Sequence, residues 1–121
     1  MARVEELKPE HFHEWGADFE PINLLGYAVR DDDGNLTCLG GLWIIQGVAW
    51  ATFDSRGDAP RLVHRLAIRL LKEAGKAGIP AVWAELDASK PKAQKWMERC
   101  GFEYVFENES GVEVWRAGLD G

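Results

Sequence analysis

The clearest pattern of apolar and polar positions lies in the second half of the chain. Over residues 59–76, Leu62, Val63, Leu66, Ala67, Leu70, Leu71 and Ala74 recur three and four apart, which marks one face of a helix. Arg61, Arg65, Arg69, Lys72 and Lys76 occupy its other face. Gly75 and Gly78 close this helix, and Pro80 bars its continuation. On either side, 48–53 and 81–86 are short, nearly all-apolar runs, as expected of strands covered on both faces. A strand–helix–strand crossover is right-handed and leaves its strands parallel, so 48–53 and 81–86 are expected to be parallel neighbours.

Further on, Ser89 is placed to cap a helix whose apolar positions Ala93, Trp96, Met97 and Cys100 fall at i, i+3, i+4 and i+7. Gly101 stands just past its end. Strands 102–107 and 112–117 then form a hairpin across 108–111. The first half opens with an extended stretch, 2–7, and a short helix, 9–15, with Pro9 in its first turn and Phe12 and Trp15 three apart. Gly16 ends it, and 16–23 reads as a loop. Strand 24–30, the turn Asp31-Asp32-Asp33-Gly34-Asn35 and strand 36–46 follow. Gly40-Gly41 marks a bulge or a close backbone approach in that strand. Gln46-Gly47 turns the chain into 48–53, completing an antiparallel meander. The prediction is one α/β domain over 1–121, in the order β-α-β-β-β-α-β-α-β-β.

Composition narrows the class. With 46% hydrophobic and 28% charged residues over 121 positions, the chain is ordinary globular material with enough length for one core. The longest apolar stretch, 42–53, is interrupted by Gln46, Gly47 and Thr52 and falls short of the ~20 residues a membrane span needs. The first residues hold no apolar signal-peptide core, so a cytoplasmic chain without membrane contact is expected. Cys38 and Cys100 are too few for a disulfide framework and match no metal-site spacing. Of the six tryptophans, Trp43, Trp50, Trp83 and Trp96 are expected in the core, and Trp15 or Trp115 at an interface.

Net charge is −6, unevenly placed: 55–99 carries ten basic and five acidic residues, the remainder four and fifteen. This favours an anionic ligand near the basic segment. The acidic whole, lacking interleaved basic and aromatic residues, argues against nucleic acid. His11 and His13, two apart on a helix, point in different directions and read as surface residues. His64 lies beside the basic stripe, as a boundary residue or a phosphate contact. The turn 31–35 lacks the glutamate that a calcium loop needs at its twelfth position. No Ser-His-Asp or Cys-His constellation is legible.

The run Ala93-Gln94-Lys95-Trp96-Met97-Glu98-Arg99-Cys100-Gly101-Phe102, set in this element order, resembles the late signature of the GNAT N-acetyltransferase superfamily. Ala93, Gly101 and Phe102 match it. The resemblance implies a mixed α/β sheet in which the parallel strands 48–53 and 81–86 splay to admit the pantetheine of acetyl-CoA. It implies an amine acceptor, either a small molecule or a protein. Ala51, Phe53, Arg56, Gly57, Arg61 and Lys90 would lie nearest the cofactor, with Lys90 where the family has an asparagine. Glu85 is the candidate general base, and Met97 stands where the family's acid, a tyrosine, is usual. The family's pyrophosphate motif, commonly Arg-Gly-x-Gly-x-Gly, corresponds to Arg56-Gly57-Asp58-Ala59-Pro60-Arg61. Ala59 and Arg61 replace glycines, Pro60 has no N–H, and Asp58 is placed to cap the helix where a phosphate would sit. Small tailed-bacteriophage proteins show a similarly worn pattern. That likeness implies a catalytically silent virion or assembly protein, partnered by virion proteins or by further copies of this chain.

Overall fold

The computed structural model describes residues 3–17, 24–56 and 60–119. Its elements are β1 (Arg3–Glu6), α1 (Pro9–Trp15), β2 (Leu24–Arg30), β3 (Leu36–Ile45), β4 (Val48–Ser55), α2 (Pro60–Lys76), β5 (Ala81–Glu85), α3 (Ala93–Arg99), β6 (Glu103–Glu107) and β7 (Glu113–Gly118). The order matches the sequence expectation. Gln46 and Gly47, at φ 51° and 79°, supply the two positive φ angles that a tight hairpin between β3 and β4 requires.

All seven strands join in one sheet, ordered β1-β2-β3-β4-β5-β7-β6. Every neighbouring pair is antiparallel except β4 and β5, the pair joined through α2, which is parallel as expected. β7 pairs with β5, so β6 lies at one edge of the sheet, with β1 at the other. All of β6 is exposed, with Tyr104 at 54% and Phe106 at 46%.

Side chains alternate across a strand, so each face has its own core. On one face, Ala67, Leu70 and Ala74 of α2, Met97 of α3 and Cys100 just past it pack on Leu42, Val82, Ala84 and Trp115. On the other, Leu7 and Phe12 pack with Ala28, Leu36 and Leu39. Gly40 and Gly41 serve close approach. A Cβ on Gly40 would lie 2.7 Å from the Phe53 ring, and one on Gly41 would lie 2.4 Å from Leu7. The bulge lies elsewhere, at Val29/Arg30.

Several expectations change. Trp115 is 5% exposed and sits in the core, because β7 is an interior strand. His11 is buried, not at the surface: its Nδ1 accepts the Lys8 backbone N–H at 2.9 Å, and its Nε2 lies 3.2 Å from Glu5. The imidazole thus takes the Lys8 N–H, the place that a glutamate or glutamine at the third helical position usually fills. Helix α3 begins at Ala93 rather than Ser89, whose hydroxyl donates to Asp87. The Asp31 carboxylate accepts the N–H groups of Asp33 and Asn35, turn chemistry as expected. Among the described residues, no cluster of His, Cys, Asp and Glu could hold a metal, and no helix is long and apolar enough to cross a membrane.

Candidate functional site

β4 and β5 pair at only two positions, Ala49 with Val82 and Trp50 with Trp83. Beyond Trp50, β4 runs on to Ser55, paired with β3 but no longer with β5. Alternate residues of 51–55 therefore turn backbone N–H and C=O groups toward a widening gap. Helices α2 and α3 floor that gap and make it a cleft of about 490 Å³, within the usual range for small-molecule sites.

The cleft wall is built from Ala51 and Phe53 of β4, Ala84 of β5, Val63 of α2 and Trp96 and Met97 of α3. Gly40 allows the Phe53 ring to lie against β3, and Trp96 meets that ring edge-on at 5.3 Å between centroids. Gly101, at φ 93°, turns the chain out of α3 and delivers Phe102, 3% exposed, to the deep end of the wall. A β-branched residue at position 101 could not take that turn without strain. The matched Ala93, Gly101 and Phe102 thus all bear on this cleft or its floor.

Charged groups gather where the strands are farthest apart. Asp54, Glu85, Asp87, Lys90 and Lys92 line the cleft there. Lys90 Nζ lies 2.8 Å from Asp54 Oδ1, and Trp15 Nε1 donates to Asp54 Oδ2 at 3.0 Å. One carboxylate therefore ties α1, β4 and the β5–α3 loop together. Partial burial works to raise the Asp54 carboxyl, but the Lys90 and Trp15 hydrogen bonds and the lysine charge outweigh it and hold the group below its ordinary range. The same hydrogen bond, then the charges of Asp54 and Asp87, hold the Lys90 ammonium above its own. Asp87 shapes the loop by accepting the Ser89 N–H at 3.0 Å, and its carbonyl accepts the Lys90 N–H at 3.1 Å.

Of the residues singled out from the sequence, Ala51, Phe53, Glu85 and Lys90 all line this cleft. Arg56 is engaged elsewhere: its Nη2 donates to the Trp15 carbonyl at 2.6 Å, and its guanidinium lies 3.8 Å over the Trp15 ring. Gly57, Asp58 and Ala59 lie outside the described residues, as do 18–23 of the expected loop. Pro60 and Arg61 open α2, but their side chains also lie outside what is described. Val63, Trp96 and Asp54 are lining residues to which sequence reasoning assigned no site role. Only the helical spacing of the first two hinted that they share a wall.

An adjoining groove of about 450 Å³ between the β5–α3 loop and the β6–β7 hairpin carries Glu85, Asp87 and Glu113. The basic face of α2 lines a separate depression with Arg65, Arg69, Lys72 and Lys76. Part of that charge is spent internally, since Arg69 pairs with Glu73 at 3.1 Å and lies over Tyr27. His64 sits at the boundary, its Nδ1 3.8 Å from Cys100 Sγ. Burial pushes both the Cys38 and the Cys100 thiols up to about 11, so the Cys100–His64 contact holds an inert thiol.

No protein-family profile matches the sequence, and no curated protein matches it. Solved structures do match. The ribosomal-protein-S18-alanine N-acetyltransferase of Escherichia coli superposes with a TM-score of 0.74 at 15% identity, over 100% of this chain and 96% of that one. A GNAT-family acetyltransferase of Staphylococcus aureus gives 0.75 at 10% identity, over 98% and 99%. A spermidine N-acetyltransferase SpeG chimera from Vibrio cholerae and hSSAT gives 0.65 at 15% identity, over 97% and 95%. With its single parallel junction, its open cleft and its end-to-end superposition on these proteins, the chain has the GNAT N-acetyltransferase fold.

Proposed function

We propose that this chain transfers an acetyl group from acetyl-CoA to an amine, using a weakened cofactor motif. The observation that carries this reading is the parting of β4 and β5 after Trp50 and Trp83 over an apolar cleft. The unpaired edge of β4, including Ala51 and Phe53, offers a ladder for the amides of a pantetheine arm. Phe53, Trp96 and Met97 offer its apolar lining, and Lys90 stands with Asp54 at the end of the cleft that leads to the phosphate motif. When bound, acetyl-CoA supplies an activated acyl group, and the chain's own contribution is orientation and exclusion of water. Glu85, on the rim, is the candidate to take the acceptor's proton. Glu85, Asp87 and Glu113 make the adjoining groove negative, which favours a cationic amine. The structural neighbours are named for an alanine of a ribosomal protein and for spermidine, both of which offer amines.

The phosphate end is the weak part. Arg56 and Gly57 are kept, but Arg56 lies on Trp15, Pro60 opens α2 without an N–H, and Asp58 adds a negative charge. Two like charges ~4 Å apart repel by about 4 kcal/mol near a protein surface. Binding of acetyl-CoA by calorimetry is accordingly expected at about 100 μM or weaker, near −5.5 kcal/mol. Replacing Asp58 and Pro60 by glycine should tighten it about tenfold, or 1.4 kcal/mol. Release of free thiol with spermidine as acceptor then tests transfer, in the cytoplasmic setting this reading assigns. The engagement of Arg56 by Trp15 favours a second reading, a silent phage virion or assembly protein. That reading requires that neither the wild type nor the double glycine variant binds acetyl-CoA.

A further inference from the structure

Among the described residues, two cations line the cleft, Lys90 and Lys92, and neither belongs to the worn phosphate motif. β4 reaches this end with Asp54 and Ser55, and the chain returns to the same cleft at Val63 in the first turn of α2. The segment that carries the motif therefore joins two points of the cleft's lining. From the other side of the parted strands, the β5–α3 loop brings Lys90 to within 2.8 Å of Asp54. The motif's own Arg56 is held on the Trp15 ring and carbonyl. We infer that Lys90, assisted by Lys92, binds the phosphates of acetyl-CoA, and that Asp54 competes with them for the Lys90 ammonium. This rests on the donor reading above and moves its phosphate contact from the β4–α2 segment to the β5–α3 loop.

An ammonium has three N–H donors, and Asp54 takes one of those on Lys90. The lysine is half exposed, so its head can turn to a ligand oxygen while its loop stays in place. Three carboxylates share this end of the cleft. Asp87 is committed to the N–H and hydroxyl of Ser89, and Glu85 also lines the adjoining acidic groove. Asp54 keeps the Trp15 N–H at 3.0 Å when Lys90 turns away. A pyrophosphate carries more negative charge than one carboxylate, and charge-assisted hydrogen bonds to it are strong. Asp54 opposes its binding twice, as a like charge and as a rival for the lysine. That is a physical reason for low affinity beside Asp58 and Pro60.

The test titrates the full chain with acetyl-CoA and with S-acetylpantetheine, which has the arm but no phosphate. Amide NMR shifts of the cleft residues read the affinities, millimolar ones included. Lys90→Met should weaken acetyl-CoA about tenfold and Lys92→Met about threefold, while S-acetylpantetheine binds all three proteins alike. Lys90→Arg keeps the charge and should stay within about threefold of wild type. Asp54→Asn should tighten acetyl-CoA about fivefold. That gain should fall below about twofold in the Lys90→Met background, which the mere loss of a negative charge would not explain. Acetyl-CoA binding that ignores Lys90→Met, or a loss that S-acetylpantetheine shares, overturns the phosphate role and leaves the cleft as a donor site. Absence of binding by both ligands overturns the donor reading and this inference with it.

Discussion

Trp50 and Trp83 face each other on the last rung that joins β4 to β5, with ring centroids 6.4 Å apart and planes inclined at 41°. Both belong to a row that continues to Trp43 on β3 and Arg116 on β7, whose guanidinium lies 5.8 Å over Trp83. The row stands on the sheet face opposite the cleft, at the level where the strands part. A double-mutant cycle on Trp50→Ala and Trp83→Ala should give a coupling of about 0.5–1 kcal/mol by urea denaturation. A coupling near zero would mean that the backbone rungs alone set the opening.

Glycine replacements in β2 and β3 should differ by what they strike. A Cβ on Gly26 would come 2.1 Å from the Gly40 carbonyl oxygen, a backbone atom that can yield only by moving a strand. Gly26→Ala should cost about 3 kcal/mol. In Gly40→Ala the obstacle is the Phe53 ring, so the cost should be nearer about 1–2 kcal/mol. The displaced ring would narrow the cleft, and calorimetry should show weaker acetyl-CoA binding for Gly40→Ala beyond any loss of fold.

The Asp54–Lys90 pair makes a pH prediction at both ends of the range. The folded carboxyl titrates below its unfolded value, so its contribution is present above about pH 4 and is lost as pH falls through the folded value. The folded ammonium titrates above its unfolded value, so its contribution is present below about pH 10 and is lost as pH rises through the folded value. Urea midpoints of wild type and Asp54→Asn should therefore differ by a constant amount between pH 5 and 9 and converge in acid. A difference that persists unchanged to pH 2 would show that the carboxylate charge contributes nothing.

Trp96→Ala is expected to cost about 2 kcal/mol rather than the 3–5 of a fully enclosed tryptophan. Its ring is half-buried, held against Phe53 and His64 while it lines the cleft. Denaturant melts check the stability, and a loss of acetyl-CoA affinity larger than that of an exposed control would place the ring at the ligand.

The topology was legible because apolar runs, helical spacing and turn residues agree along most of the chain. Pro9 and Trp15 bound α1 as expected, and the stripe from Leu62 to Ala74 defined α2 and with it the parallel pair. The cleft's strand residues followed from that pair. What stayed hidden depends on contacts distant in sequence. Trp15 and Asp54 are 39 residues apart, and Asp54 and Lys90 are 36 apart, so no local spacing announces that they meet. Trp115 looked like an interface residue because a hairpin reads the same whichever strand lies inside. Only pairing of β7 with β5 turns it inward. His11 appeared free for want of any sign that Lys8 and Glu5 would both reach it.

The two rungs between β4 and β5 have a kinetic meaning as well. On one side of them lies a meander of sequential antiparallel neighbours, and on the other β5 with the β6–β7 hairpin. Contacts within the β2–β3–β4 meander close over short loops and form early, whereas the parallel junction waits for the whole of α2 to be in place. The seam between the halves thus closes after the meander, and its two rungs make it the shortest of the strand pairings. A molecule that fills the cleft without prising those rungs apart would tie α2, α3 and both strands together, and is expected to slow any unfolding that starts at the seam.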